Sequence, residues 1–357
     1  MKELTPLSAS RIKKAETCSW SYWASYKLKV PDKSNDGASR GWICHLILEL
    51  LGKEKHFPKY DKVILSESIY SCIPIKKVVH FYAKKLNVFD DDNLALIDTM
   101  TMAGLHFDFF GTKRGSTSEI ISEKDFDITE QEGDKLYRIK GFIDKLYFYK
   151  KDSTILIRDF KTSKSVFKGK EVTDNLQDLI YTLAVKKMFP HFKKRQMEFL
   201  FLKFDLNSSG CLKMKDLSDE ELEGLEYQLS SIQSFIDNFS ENDALSSFAA
   251  EKSYPSDGTF GGPLVCGKNG FKISKGQPLL DSNGNKIPAY ICPYRNPLTY
   301  WIVKDSEGKI IKSVFEDEKD SLFNFEKEGF SIELFEYKGC PYWLQKESAD
   351  SFFSNYS

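Results

Sequence analysis

Residues 139–161 read IKGFIDKLYFYKKDSTILIRDFK. The pattern predicts two β-strands, 139–149 and 154–159, joined by a turn at Lys150, Lys151, Asp152 and Ser153. Each strand carries one carboxylate in apolar surroundings: Asp144 follows Gly141-Phe142-Ile143, and Asp159 ends the run Ile155-Leu156-Ile157-Arg158. A strand buries β-branched side chains at such places, and an acid there is costly unless it is paired or metal-bound. Side chains alternate along an extended chain, so Asp159 and Lys161 share a face while Phe160 points into a core. The hairpin presents two carboxylates and one ammonium to a single spot.

Two close carboxylates repel unless a cation lies between them, and hard oxygen donors with room for water suit Mg²⁺ or Mn²⁺. A lysine beside such an ion can orient a water or stabilise charge growing on a phosphate. Phosphodiester hydrolysis fits this set. The competing reading of an isolated Asp-x-Lys is a surface hairpin with ordinary alternating charges. The next segment bears on the choice: from Asp174, apolar residues recur at three- and four-residue spacing, which predicts a helix that puts Gln177 and Tyr181 on one face.

Gly141 to Asp144, Asp159 to Lys161 and Gln177 to Tyr181, on strand, strand and helix, resemble the RecB-like branch of the PD-(D/E)XK nuclease superfamily, whose pattern is Gly-x-x-Asp, Asp-x-Lys and Gln-x-x-x-Tyr. The resemblance covers residues 8–51 and 123–204 well and the rest poorly. It implies an α/β fold with a restriction-endonuclease-like αβββαβ core and a mixed central sheet. It further implies that Asp144 and Asp159 hold Mg²⁺ or Mn²⁺, with His45 and the backbone carbonyl of Phe160 as further ligands. Lys161 would position the water, and Gln177 and Tyr181 would order the site or the strand.

His45 lies on the apolar segment 41–51 and is four residues from Glu49. A histidine on an apolar helix is usually a satisfied core residue. The ligand reading comes from the resemblance, because Gly41 to His45 matches the branch's Gly-x-x-x-His. Glu123, central in an expected strand 117–128, is either an additional site acid, as in many relatives, or an exposed strand glutamate.

The composition is that of a globular protein with a sizeable core: 357 residues, 41% hydrophobic and 29% charged. A net charge of −1 argues against wholesale polyanion binding, so contacts to nucleic acid must come from local patches. One is visible at 138–170, where ten Lys or Arg stand against three Asp. Lys164, Lys168 and Lys170 belong to it, in a segment too polar for core, and are expected to contact phosphates. No secretory or membrane-spanning run is present, which predicts an intracellular protein with no membrane partner.

The expected organisation is residues 1–51 as N-terminal helices leading into the core, 52–117 as a helical insertion, 118–240 as the nuclease core and 241–357 as a loop- and β-rich, cysteine-bearing region packed on it. In the first segment one helix is expected to carry Ile12, Cys18, Trp20 and Trp23. The insertion should contain helices at 71–86 and 93–110, with His80 and His106 lacking obvious partners. A strand is expected at 196–204 and a helix at 219–239 with the stripe Leu222, Leu225, Leu229, Ile232, Ile236 and Phe239. Glycine and proline are dense from 254 to 297, with a turn at 282–285, and a hairpin is expected from Tyr300 to Ile311.

Seven cysteines in a protein expected inside the cell are thiols or metal ligands rather than disulfides. Cys292-Pro293-Tyr294 and Cys340-Pro341-Tyr342 have similar surroundings. Some RecB-like nucleases hold a four-iron cluster with one cysteine from the N-terminal helix and three from the C-terminal end. Cys18, Cys266, Cys292 and Cys340 would supply that set, although the family's last three usually lie closer together. Zinc and unligated packing are the alternatives, and Cys44, Cys72 and Cys211 are expected to be core or surface thiols. The function expected is a metal-dependent DNA nuclease, an exonuclease on DNA ends or single strands in recombination, repair or replication, with a helicase or recombination partner. The alternative is a non-catalytic DNA-binding or assembly subunit keeping the fold as scaffold.

Overall fold

Five strands form one mixed sheet in the order β1 (Glu119–Glu130), β2 (Tyr137–Tyr149), β3 (Thr154–Lys161), β4 (Lys194–Phe201) and β5 (Cys211–Lys213). The pairs β1/β2, β2/β3 and β4/β5 are antiparallel and β3/β4 is parallel. A parallel pair needs a crossover, here the helix Leu176–Met188, started by Asn175, whose side chain accepts from the amides of Gln177 and Asp178. The restriction-endonuclease-like αβββαβ order is thus present. The short antiparallel β5 was not expected; three residues are too few to leave an alternating pattern.

The computed structural model describes residues 3–32, 35–115, 117–247, 249, 266–267, 272–274, 277–280, 284–287 and 289–344. The chain divides into two units, Met1–Ala9 with Ser34–Asp237 and Ser10–Lys33 with Asn238–Ser357. The turn expected at 282–285 and much of 254–297 lie outside the described residues.

In the first unit, the helices Asp36–Leu51, Phe57–Ser66, Ile73–Lys85 and Asp91–His106 precede the sheet. Their apolar faces share a core with Phe160 and Leu200 from β3 and β4, through Ile43, Ile47, Val79 and Ile97. The helix Phe57–Ser66 was not expected; it buries Val63 and packs Tyr60 and Ile64 against the same core. On the helix Asp219–Asp237 the stripe is mixed. Glu226 and Gln233 are buried with Leu222, Leu225, Leu229 and Ile236. Glu226 accepts from the Tyr137 hydroxyl at 2.7 Å, and Gln233 takes the Arg138 amide at 2.9 Å and donates to the Thr5 carbonyl at 2.9 Å, so both fasten β2, Glu226 through a side chain and Gln233 through the backbone.

In the second unit, the single N-terminal helix expected is broken. Ala9–Thr17 ends, and Cys18 at φ −159° caps a new turn, Ser19–Tyr22, which runs into a π-helical turn, Trp23–Lys27. The expected hairpin is Leu298–Lys304 with Ile310–Phe315, and a third strand, Ser331–Tyr337, flanks the first of them. That strand was missed because Glu333 and Glu336 interrupt its apolar alternation. No helix among the described residues is long and apolar enough to cross a membrane.

Candidate active site

Sheet register brings the acids together. The β1/β2 ladder pairs Ser122 with Lys145 and Lys124 with Ile143, leaving Glu123 opposite Asp144 without a ladder pair. The β2/β3 ladder stops at Lys145 with Arg158, one step short of Asp144 and Asp159. Glu123, Asp144 and Asp159 therefore form one row across three strands where the ladder opens. Glu123 has φ +56°, a left-handed conformation that a glutamate adopts only against strain, of the kind found where a strand re-aims a side chain at a site.

The freed amide of Phe160 donates to Asp144 Oδ2 at 2.7 Å, and His45 Nδ1 lies 3.1 Å from Asp144 Oδ1. Phe160 thus turns its N–H toward Asp144, while its ring lies in the core and 6.2 Å from the His45 ring. Asp159 is buried. Lys161 Nζ lies 2.7 Å from its Oδ2 and donates to Gln177 Oε1 at 2.6 Å, while Gln177 Nε2 donates to Asp159 Oδ1 at 2.6 Å. The three side chains close a ring: strand acid, strand lysine and helix amide. Tyr181, one turn after Gln177, packs edge-on against Phe126 at 5.8 Å. Gly141 lies opposite Phe126, where an added Cβ would meet the ring at 2.8 Å, so glycine lets that aromatic lie across β2.

The charges are strongly coupled. Burial pushes the Asp159 carboxyl up to about 6; Lys161 pulls it down and Asp144 adds to the rise. For His45 the largest influence is burial, which lowers it, yet the charge and hydrogen bond of Asp144, with help from Asp159, raise it to about 9. Burial also raises Glu123, and the charges of Asp144 and Glu49 raise it further, which puts Glu123 within electrostatic reach of the row. Asp144, Asp159 and His45 are the donor types that Mg²⁺ or Mn²⁺ takes. Among the described residues no group of three or more His, Cys, Asp or Glu side chains stands ready-made to hold a metal ion. The oxygens are engaged by Lys161, Gln177 and the Phe160 amide, so an ion would have to exchange places with those donors.

Behind the site, on the other face of β3, Arg158 pairs with Glu198 at 2.6 Å and donates to the Tyr147 hydroxyl and to the carbonyls of Phe107 and Asp108. Lys145 is buried with its ammonium 3.0 Å from the centre of the Phe109 ring, and burial holds it well below the usual lysine range. This buried basic layer fixes β2 and β3 from behind. Its sequence signal was a charge in each of two apolar strands, at the positions facing away from Asp144 and Asp159.

A sequence model of the PD-(D/E)XK nuclease superfamily matches residues 6–244. The chain belongs to that superfamily. No curated protein matches. A solved structure similar to this PD-(D/E)XK protein is one named "putative exonuclease" from Eubacterium rectale, with 11% identity, a TM-score of 0.37 and coverage of 67% of this chain and 82% of that one.

The expected phosphate contacts Lys164, Lys168 and Lys170 are all exposed beyond β3 in this PD-(D/E)XK chain. His106, expected to lack a partner, lies 2.8 Å from Glu67, and His80 packs on Phe89 and Tyr70. Cys44 and Cys72 are core thiols, and Cys211 is half-buried near Glu198.

In the second unit, Cys18, Cys266, Cys292 and Cys340 line one small cavity with Trp20 and Trp343. Cys18 Sγ accepts backbone N–H groups from Ser21 at 3.4 Å and Ala249 at 3.3 Å. The Cys292 sulfur is served by the Tyr294 amide, and that of Cys340 by the amides of Tyr342 and Trp343. The two Cys-Pro-Tyr segments and Cys266 are stitched together by backbone bonds, from Cys292 N to Cys266 O, Arg295 N to Cys292 O and Cys340 N to Arg295 O. Burial, with the neighbouring cysteines, pushes the Cys292 thiol up to about 12. Four cysteine sulfurs around one cavity are the donor type that a thiophilic metal takes.

Proposed function

We propose that this protein is a Mg²⁺- or Mn²⁺-dependent deoxyribonuclease acting as an exonuclease on DNA ends. The observation that carries the reading is the ring of Asp159, Lys161 and Gln177 beside Asp144 and His45, at the point where the sheet's ladder opens. Asp144, Asp159 and His45 would hold the ion, with the Phe160 carbonyl completing the set as the family resemblance implies. The bound ion would supply Lewis acidity and lower the pKa of a water. Lys161 is held by two acceptors, so its ammonium is fixed where it can orient a water and offset charge growing on the phosphate. Gln177 holds both Asp159 and Lys161, and Tyr181 walls the site. The exonuclease assignment, with a role in recombination, repair or replication, rests on the likeness of the Gln177/Tyr181 helix to the RecB-like branch.

The test is an assay on end-labelled single- and double-stranded DNA with Mg²⁺, Mn²⁺ or a chelator. Metal-dependent release of short products from an end supports the reading. No cutting with any metal, alongside retained DNA binding, would leave a scaffold in place of an enzyme.

We infer also that Cys18, Cys266, Cys292 and Cys340 bind metal, as a four-iron iron–sulfur cluster or as zinc. The support is that the four cysteines line one small cavity, with backbone N–H groups directed at three of the sulfurs. Anaerobic purification followed by iron, sulfide and zinc analysis decides between the two.

A further inference from the structure

The helix that carries His45 also carries Trp42, one turn earlier and on nearly the same side. Its neighbours Gly41, Ile43 and Cys44 are buried, yet Trp42 is 49% exposed. It meets Tyr82 edge-on at 4.7 Å, and Tyr82 meets Phe81, itself 61% exposed, at 5.0 Å. An aromatic surface is thus supported from behind and open in front.

Its position relative to Lys161 is fixed by close contacts. Gly41 approaches Thr162 so nearly that an added Cβ would lie 2.5 Å from its Oγ1. Thr162 directly follows Lys161, and its carbonyl accepts from Lys203 Nζ at 2.7 Å. Arg40, which donates to Asn93 Oδ1, and Lys164 both lie close enough to Lys203 to act on its ammonium, which burial and these two charges lower. Arg40, Lys164 and Lys203 thus gather near the C-terminal end of β3, beside the proposed catalytic lysine, and the exposed indole of Trp42 stands on the same helix as Arg40. Mutual repulsion among those cations is relieved by a polyanion, and the indole offers a face to an unstacked base.

We propose that Trp42 is a positioning residue that stacks on a base of single-stranded DNA whose phosphates pass Arg40, Lys164 and Lys203 on the way to Lys161. The inference rests on the nuclease reading and deepens it. Bases in a duplex have their faces covered by neighbours, so this stacking selects an unpaired strand and is indifferent to its sequence. Arg40 and Lys203 supply charge from two elements, and the Trp42 ring sets the direction in which the strand lies.

The test measures binding of a fluorescein-labelled oligonucleotide, single-stranded or duplex, by anisotropy with chelator present, so that cleavage does not enter. Trp42→Leu keeps an apolar side chain but no ring, and is expected to weaken single-strand binding roughly 5- to 50-fold, about equally for homopolymers of different base, while changing duplex binding less than twofold. Trp42→Phe is expected to restore binding to within about threefold of the parent, and tryptophan fluorescence quenched by single strands in the parent should be quenched less in it. Circular dichroism establishes that both variants fold. Single-strand affinity unchanged in Trp42→Leu, or lost equally for duplex and single strand, overturns the proposal. A parent that binds single strands through Trp42 but cuts nothing would instead overturn the nuclease reading alone.

Discussion

The first unit gathers its candidate carboxylate ligands from neighbouring strands of one sheet, whereas the second gathers its cysteines from segments far apart in sequence. Asp144 and Asp159 are 15 residues apart and set by one hairpin. Cys18 and Cys340 are separated by most of the chain. The chemistry differs as well. The acids are already satisfied by an ammonium, an amide and an imidazole, so the row can persist without a metal. The cysteines offer one another only thiols, in a cavity walled by tryptophan. Folding without metal is thus expected to be easier for the hairpin site than for the cysteine cavity.

The largest expected effect lies in the first unit. Asp159→Ala removes a proposed ligand, and cleavage should fall at least 1,000-fold with weaker Mn²⁺ binding by calorimetry, on the order of 4 kcal/mol or more in transition-state stabilisation. Lys161→Ala should cut activity with a loss of roughly 2–4 kcal/mol while sparing metal and DNA binding. Wild-type turnover by Lys161→Ala would remove the proposed site.

Next comes the cysteine cavity. Cys292→Ser should abolish any iron or zinc in the purified protein and lower the melting temperature, because ligation of segments this far apart is coupled to their folding. By contrast, Asp159→Ala should leave the melting temperature in chelator unchanged or raised. If Cys292→Ser is metal-free and as stable as a parent that is itself metal-free, the four cysteines are packing residues and the two regions are alike only in appearance.

A smaller effect concerns Asp178, buried in the first turn of the crossover helix and accepting from Thr182 at 3.0 Å. Burial raises its carboxyl from 3.8 to about 6. The folded protein therefore holds this proton more tightly than the unfolded chain. The resulting stabilisation is full below pH 3.8 and is lost as pH rises through 6. Asp178→Asn keeps a neutral partner for Thr182 and should stabilise the protein at pH 8 by roughly 1–3 kcal/mol, with no gain at pH 4. Urea unfolding at the two pH values checks this.

The smallest effect belongs to the exposed lysines. Replacing Lys164, Lys168 and Lys170 with alanine should lower the salt slope for single strands by about 2, alike on every sequence. A loss confined to particular sequences would contradict phosphate contact.

The hairpin and the crossover helix were legible because a two-residue alternation and an i, i+4 pair are local signals. Placing Glu123 in the row was not, because that depends on a ladder pair being absent and on one backbone angle. Nor was the break at Cys18, where a cysteine takes over a capping role usually filled by Ser, Thr, Asp or Asn. The strand Ser331–Tyr337 and the short β5 were too charged or too brief to show a period. Trp42 lay in plain view inside an apolar run, but only packing reveals which apolar residue stays outside.

The left-handed backbone at Glu123 has a consequence for adaptation. A glycine would adopt that angle freely, so Glu123→Gly should relax strain of about 1 kcal/mol while removing the carboxylate from the row. Laboratory selection for heat resistance alone would then drift toward glycine at this position, and selection for turnover would hold the acid in place. Opposite outcomes from the two selections would mark position 123 as one where this chain gives up durability for chemistry.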